Sequence, residues 1–254
     1  MTGDAVDAVV IGAGPAGSAT ALALRARGFT VTLIERTEGD GPRPRHMGES
    51  LQGVARHALR ELGIDHAFHN DWQRPCYLLR SSWAGDVLER PSIVQLDGPD
   101  LHLDRARFDA WLRGHALAAG ARCHDGARIT ELCWHDASQR FRIVLRLGLE
   151  DGARELRARY LVDASGRSAF VSRKLRAVRR SLDRSLGVAR WFREPASEPV
   201  VLVEACEHGW WYSAPLPHGE LVALFVTDAA NVTGRAATRA AWDAALAVGD
   251  ASVA

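Results

Sequence analysis

The sequence predicts an α/β fold, with a parallel strand–helix–strand unit first and short antiparallel strands later. Two observations predict it. An apolar run ends directly in a GxGxxG turn that opens an alanine-rich helical segment. Far downstream, three short strand-like runs are separated by turns that contain glycine.

Asp7-Ala8-Val9-Val10-Ile11 has the continuous apolar character of a buried parallel strand. Gly12-Ala13-Gly14-Pro15-Ala16-Gly17 follows at once, then a helix from Ser18 to Arg27 that Gly28 stops. Val31–Ile34 is the second strand, and Glu35 ends it. Each glycine has a reason. Gly12 permits the tight turn, Gly14 lets backbone approach a pyrophosphate, and Gly17 lets helix and strand pack closely. The helix N-terminus offers unpaired N–H groups and a partial positive charge to a diphosphate. Glu35 lies about twenty residues on, where a carboxylate accepts from ribose hydroxyls. That acid repels a 2′-phosphate, which disfavours NADP even with Arg36 beside it and leaves FAD and NAD.

Arg43–Leu51 (RPRHMGESL) reads as a loop, followed by a helix from Ser50 to Leu62 with Ser50 as its N-cap. Trp72–Val94 mixes aromatic, β-branched and turn residues and predicts irregular strands. Leu103–Ala119 is an amphipathic helix with Phe108, Trp111, Leu112 and Leu117 near one face, closed by Gly120. Phe141–Leu149 alternates in the manner of an exposed edge strand and pairs with Ala127–Trp134 in a hairpin around Asp136–Gln139. Arg159–Val162 is a strand running into Asp163-Ala164-Ser165-Gly166-Arg167. Val200–Ala205, Trp210–Ala214 and Leu221–Thr227 are the three antiparallel strands. Along the second, Trp210 and Tyr212 share one face and Trp211 takes the other.

Composition narrows the function. Lys+Arg of 32 against Asp+Glu of 31 excludes a nucleic-acid binder built on bulk charge. Lys174 is the one lysine, so any mechanism that needs a lysine has a single candidate. Cys76, Cys123, Cys133 and Cys206 show neither CxxC nor zinc spacing, which reads as a reducing, cytoplasmic setting without metal. No apolar run approaches the ~20 residues of a membrane span, and the acidic start leading straight into a strand predicts no signal peptide.

Four motifs in order (VVIGAGPAGSATALALRARGFTVTLIER, RPRHMGESL, LDRARFDAWL and YLVDASGRSAF) resemble FAD-dependent oxidoreductases of the para-hydroxybenzoate hydroxylase fold. Within that family the chain is similar to the tryptophan-halogenase-like and geranylgeranyl-reductase-like branch. The run GWWYSAPLPHGELVALFVTD resembles flavin monooxygenases that mature quinone-cofactor amine oxidases and dehydrogenases. The resemblance spans residues 6–228. It implies a Rossmann-like FAD-binding domain of the GR2 type, residues 1–71 and 101–185, interleaved with a smaller antiparallel substrate sheet, residues 72–100 and 186–230.

By resemblance, Gly12, Gly14, Pro15, Ala16 and Gly17 cradle the FAD diphosphate, and Glu35 with Arg36 marks the adenosine sugar. Gly48, Glu49 and Ser50 lie along the flavin, Arg105 approaches the phosphates or ribityl chain, and the Asp163–Gly166 turn passes the pyrophosphate again. Asp250 opens a later glycine-aspartate motif in residues 231–254, and the reading there is of a truncated, internally deleted or incompletely represented chain. The residues have plainer readings as well: Arg105 as a surface charge, Glu49 as a first-turn helix acid, Asp163 as a turn former, Trp210–Tyr212 as sheet core.

The implied activity is a monooxygenase that hydroxylates an aromatic or peptidyl substrate through a flavin C4a-hydroperoxide. NAD(P)H or a separate flavin reductase supplies the electrons, since no second GxGxxG exists. Halogenation is disfavoured because the halogenase lysine is missing from its segment and WxWxIP is altered to WWYSAP. A flavin-dependent halogenase, a geranylgeranyl-reductase-like reductase of isoprenoid double bonds, and an inactive truncated flavin-binding fragment are the alternatives.

Overall fold

A computed structural model describes residues 4–37, 47–68, 71–83, 85–92, 96–147, 152–194, 198–232, 234, 240 and 242–243. The chain divides into two compact units. The first comprises residues 1–45, 62–64 and 106–179; the second comprises 46–61, 65–105 and 180–254.

In the first unit, β1 (Asp4–Ile11), α1 (Pro15–Ala26) and β2 (Val31–Ile34) form the strand–helix–strand unit that the sequence predicts. Val9 and Val10 are inaccessible to solvent, so β1 is covered on both faces. Pro15 starts α1 where its missing N–H costs nothing. Gly28, at φ +82°, donates to the Arg25 carbonyl and ends it. The helix turns Gly17, Ser18, Ala21 and Leu22 inward, four small or apolar residues that permit close packing.

The rest of this unit comes from β8 (Arg122–His124), β9 (Ala127–His135), β10 (Arg140–Leu147) and β11 (Ala153–Asp163). The sheet order is β8-β2-β1-β11-β10-β9, parallel from β8 to β11 and antiparallel beyond. The β9–β10 hairpin turns at Asp136–Gln139 as expected, with Gln139 in the left-handed region at φ 51°. The edge-strand reading of Phe141–Leu149 is corrected. β10 lies inside the sheet between β9 and β11, and Ile143, Val144 and Leu145 are all buried. Alternation shows only that one face meets water; the neighbouring strand that covers the edge is a tertiary fact.

The second unit holds two sheets. β4 (Gln73–Cys76), β7 (Asp100–Leu103) and the two-residue β3 (Ser50–Leu51) make a small antiparallel one, in the order β3-β7-β4. β5 (Leu78–Trp83), β6 (Asp86–Pro91), β12 (Ser185–Arg193), β13 (Val200–Cys206), β14 (Gly209–Leu216) and β15 (Glu220–Asp228) make the other. Its order is β12-β15-β14-β13-β5-β6, antiparallel except where β13 meets β5. Neighbouring residues of β14 point to opposite faces. Trp211 packs with Phe225, Ala223 and Trp242, whereas Tyr212 packs with Cys76, Val201, Ala214 and Val222.

Three local readings change. Ser50 is not a helix cap. It pairs with His102 in β3, and the helix α2 (Ala55–Glu61) begins only after Gly53, whose N–H is taken by Asp100. Leu103 belongs to β7, and the helix α3 (Arg105–Ala118) starts two residues later. Its inner face is Phe108, Asp109, Leu112, Arg113 and Ala116, and Leu117 is exposed. Arg113 is carried inward because it pairs with Asp125.

Candidate functional site

The carboxyl ends of β2, β1 and β11 meet in the first unit. Ile11 is in register with Ile34 on one side and Asp163 on the other. The Gly12 N–H donates to the Ile34 carbonyl at 2.8 Å, and the Ala164 N–H donates to the Ile11 carbonyl at 2.9 Å. Two turns, Gly12–Gly17 and Asp163–Gly166, therefore leave the same sheet edge side by side, in the crevice where α/β sheets bind ligands.

The three glycines of the first turn are present for different reasons. Gly12 has φ +102°, and a Cβ there would lie 2.3 Å from the Ala164 carbonyl oxygen. A Cβ on Gly17 would lie 1.8 Å from the Gly12 carbonyl oxygen. Both are imposed by the protein's own backbone. Gly14 is not. Its φ of −73° suits any residue, and a Cβ there would meet nothing within 4 Å. It sits at the N-cap of α1, where no side chain caps the helix and no acid occupies the first turn. Pro15 is half-buried beside it and Ala16 is exposed. This is an open, positively polarised helix end bordered by a residue with no side chain, and it fits a diphosphate.

Glu35 stabilises that turn directly. One carboxylate oxygen accepts the Ala13 N–H at 2.9 Å and the other accepts the Thr37 N–H at 3.0 Å. Its own N–H donates to the His124 carbonyl, which ties it to β8. Arg36 next to it is exposed. Close by in the same unit, burial pushes the Cys123 thiol up to about 11, which makes it a poor nucleophile.

The Asp163 carboxylate is engaged within its own turn. One oxygen accepts the Ser165 hydroxyl at 2.5 Å and the Ser165 N–H at 3.2 Å. The other accepts the Ser172 N–H at 2.9 Å and the Ser172 hydroxyl at 3.0 Å. Burial raises its pKa, but these four donors outweigh that and hold the carboxyl below its usual range. The turn former anticipated from the residue type is what the geometry shows. Asp163 shapes Ala164–Gly166, and Gly166 takes φ +61°.

The second unit brings Gly48, Glu49, Ser50 and Arg105 together. The Arg105 guanidinium donates to the Met47 carbonyl at 3.1 Å and the Gly48 carbonyl at 3.0 Å. Gly48 has φ +105°, and a Cβ there would lie 2.8 Å from that guanidinium. Glu49 is buried, accepts the Gly48 N–H at 2.9 Å, and its backbone carbonyl accepts the Leu103 N–H at 2.8 Å. Tyr212 lies near it, and burial, with the Glu49 charge adding to it, drives the phenol well above its usual range. Asp250 lies outside the described residues.

Sequence reasoning missed His102. It is fully buried, with Nδ1 2.6 Å from the Pro215 carbonyl oxygen. A carbonyl only accepts, so Nδ1 carries the proton and Nε2 is the bare acceptor. Burial holds the imidazole down to about 4. A strand reading of Asp100–Leu103 would have faced the His inward; its neighbours alone gave no such signal.

With this geometry in hand, the family is decided by comparison. The profile of an FAD binding domain matches residues 5–251. The chain belongs to the FAD-binding domain family. The putative FAD-dependent oxidoreductase LodB of Marinomonas mediterranea is 31% identical over 230 residues, covering 89% of this chain and 61% of LodB. The 1H-pyrrole-2-carbonyl-(peptidyl-carrier protein) brominase of Pseudoalteromonas luteoviolacea is 32% identical over 182 residues, covering 70% of this chain and 41% of that protein. The chain thus spans less than two thirds of either relative. Among solved structures, the peptidyl tryptophan dihydroxylase QhpG superposes with a TM-score of 0.68 at 27% identity, covering 97% of this chain and 51% of QhpG. The flavin-dependent halogenase CmlS superposes with a TM-score of 0.81 at 23% identity, covering 98% of this chain and 46% of CmlS, and shows the fold. The α/β nucleotide-binding fold and the FAD family expected from the sequence are both borne out.

Proposed function

We propose that this FAD-binding chain is the cofactor-holding part of a monooxygenase that hydroxylates an aromatic or peptidyl substrate. The observation that carries it is Gly14. Among the described residues nothing lies within 4 Å of a Cβ placed there, so we attribute the glycine to a ligand that must come close to the backbone.

On this reading the N–H groups at the start of α1 bind the diphosphate, with Gly12, Pro15, Ala16 and Gly17 fixing the turn that presents them. Glu35, which accepts the Ala13 N–H beside the turn, is the acid that would accept from the ribose, and Arg36 is next to it in the chain. Asp163 holds the Ala164–Gly166 backbone in place rather than touching the ligand. Gly48, Glu49, Ser50 and Arg105 are the second unit's cofactor contacts. A bound flavin supplies two-electron transfer and, once reduced, activation of O₂. The protein orients the substrate and excludes water, with the apolar Tyr212 face of the large sheet as the substrate wall. Electrons come from NAD(P)H or a partner flavin reductase.

Hydroxylation is favoured over halogenation because Lys174, the one lysine, is exposed at the end of the short helix Phe170–Lys174, after the Asp163–Gly166 turn. The test is to load the purified chain with FAD and supply NADH, a flavin reductase, O₂ and bromide together with tryptophan-containing peptides. Oxygen-18 incorporated from O₂ into product supports the reading. A brominated product, or oxygen uptake that ends only in hydrogen peroxide, overturns it.

A further inference from the structure

The segment after the Asp163–Gly166 turn has a surface that the flavin site does not use. From Arg167 to Arg179 the first unit carries five cations, Arg167, Arg173, Lys174, Arg176 and Arg179, and no carboxylate. The whole chain is at net +1, so the remainder carries −4. All five cations are exposed, and among the described residues none is paired with an acid. Between them Leu175 is 58% exposed and Val178 86% exposed.

The dipole of a helix end accounts for Arg173 and Lys174, which fall in the last turn of α4 (Phe170–Lys174). It does not account for the rest. The helix ends in a Schellman turn: the Ala177 N–H donates to the Ser172 carbonyl at 2.9 Å, and the Arg176 N–H donates to the Arg173 carbonyl at 3.1 Å. The left-handed residue of that turn is Arg176, at φ 60°, where glycine is the unstrained choice. An L-residue there costs about 1 kcal/mol. The turn thus keeps a cation at its tip against a conformational cost, and it holds the flanking cations on an ordered knob.

We propose that this knob docks on an anionic lipid surface. Cations spaced by outward-facing aliphatic side chains are the composition of an interfacial segment. Each Lys or Arg near such a surface strengthens binding about fivefold, by conversion of ~1 kcal/mol. Residues 167–179 contain no strand whose edge could pair with a protein partner, and a fluid headgroup layer needs no shape complementarity. The inference stands apart from the oxidoreductase reading.

The test is co-sedimentation of the full chain with vesicles of phosphatidylcholine alone and of phosphatidylcholine and phosphatidylglycerol in equal parts. The expected result is binding to the anionic vesicles at least about a hundredfold tighter than to the neutral ones. It should be lost when salt rises from about 0.1 M to about 1 M and the screening length falls from ~10 Å to ~3 Å. The combined variant Arg173→Glu, Lys174→Glu, Arg179→Glu loses that binding with FAD content unchanged, and Leu175→Ser with Val178→Ser weakens it at constant charge. Equal binding to both vesicles, or undiminished binding by the charge-reversal variant, overturns the proposal. So does indifference to vesicles with retention on polyglutamate, which would assign the knob to an acidic protein. The salt series on the unaltered chain decides the matter even if a variant fails to fold.

Discussion

Alanine at Gly14 and alanine at Gly17 should behave in different ways. At Gly14 the added methyl enters open space at φ −73°, which alanine adopts freely. The unfolded chain loses freedom worth about 0.4–1 kcal/mol, and alanine is a poorer N-cap than glycine by a similar amount. The two offset, so the Tm of the apo protein stays within roughly 4 °C of the parent. The same methyl stands where the diphosphate approaches. Two hydrogen bonds from backbone N–H to a charged oxygen, at about 1.5–3 kcal/mol each, are blocked, and FAD binding weakens at least about a hundredfold. At Gly17 the methyl lies 1.8 Å from the Gly12 carbonyl oxygen. Helix and turn must separate, at about 1–3 kcal/mol, and Tm falls by several degrees. Calorimetry on apo protein and fluorescence titration with FAD measure the two effects separately. A Gly14→Ala protein that binds FAD normally would refute the argument that the ligand dictates this glycine. One that melts well below the parent would show that the protein itself needs it.

Other consequences are equally direct. His102 stays neutral when folded until pH approaches about 4, whereas its unfolded form takes a proton near 6.5. Between those values the unfolded chain binds the extra proton. The stabilisation is complete above about 6.5 and drains away as pH falls, on the order of 3 kcal/mol in all. His102→Asn, which keeps a donor for Pro215, should flatten that part of the stability-versus-pH curve, as urea melts at several pH values will show. Glu35→Ala strips the Ala13 and Thr37 N–H groups of their acceptor and should raise the Kd for FAD tenfold or more in the same titration. Trp242 is buried edge-on against Trp211, with the Arg190 guanidinium 3.9 Å from its ring centre; Trp242→Ala should cost about 3–5 kcal/mol in denaturant unfolding.

The parts of this molecule that were legible in its sequence are those governed by neighbours in the chain. The strand–turn–helix around Gly12–Gly17 is specified by glycine spacing, a proline at the helix start and a glycine at its end. The hairpin between β9 and β10 is likewise set by two alternating runs and a tight turn. What escaped depended on distant partners. Ser50 resembles a helix cap, but β7, fifty residues on, offers it a ladder. Leu117 is the exception, a local error: nine residues at about 100° each set it on the side of α3 opposite Phe108, where it is exposed. The candidate site divides in the same way. Gly14 and Glu35 were readable from spacing, whereas the saturation of Asp163 by Ser165 and Ser172, and the burial of His102 against Pro215, follow from the folded arrangement.

The pairing of Ile11 with Asp163 has a consequence for biosynthesis. The strand that backs the glycine turn is made some 150 residues after the turn itself. Until it leaves the ribosome, β1 has one flank with unsatisfied amides, the kind of edge on which nascent chains aggregate. Nucleotide loading therefore waits until Asp163 has been made, and a nascent chain stalled before Asp163 is a substrate for chaperones rather than for FAD.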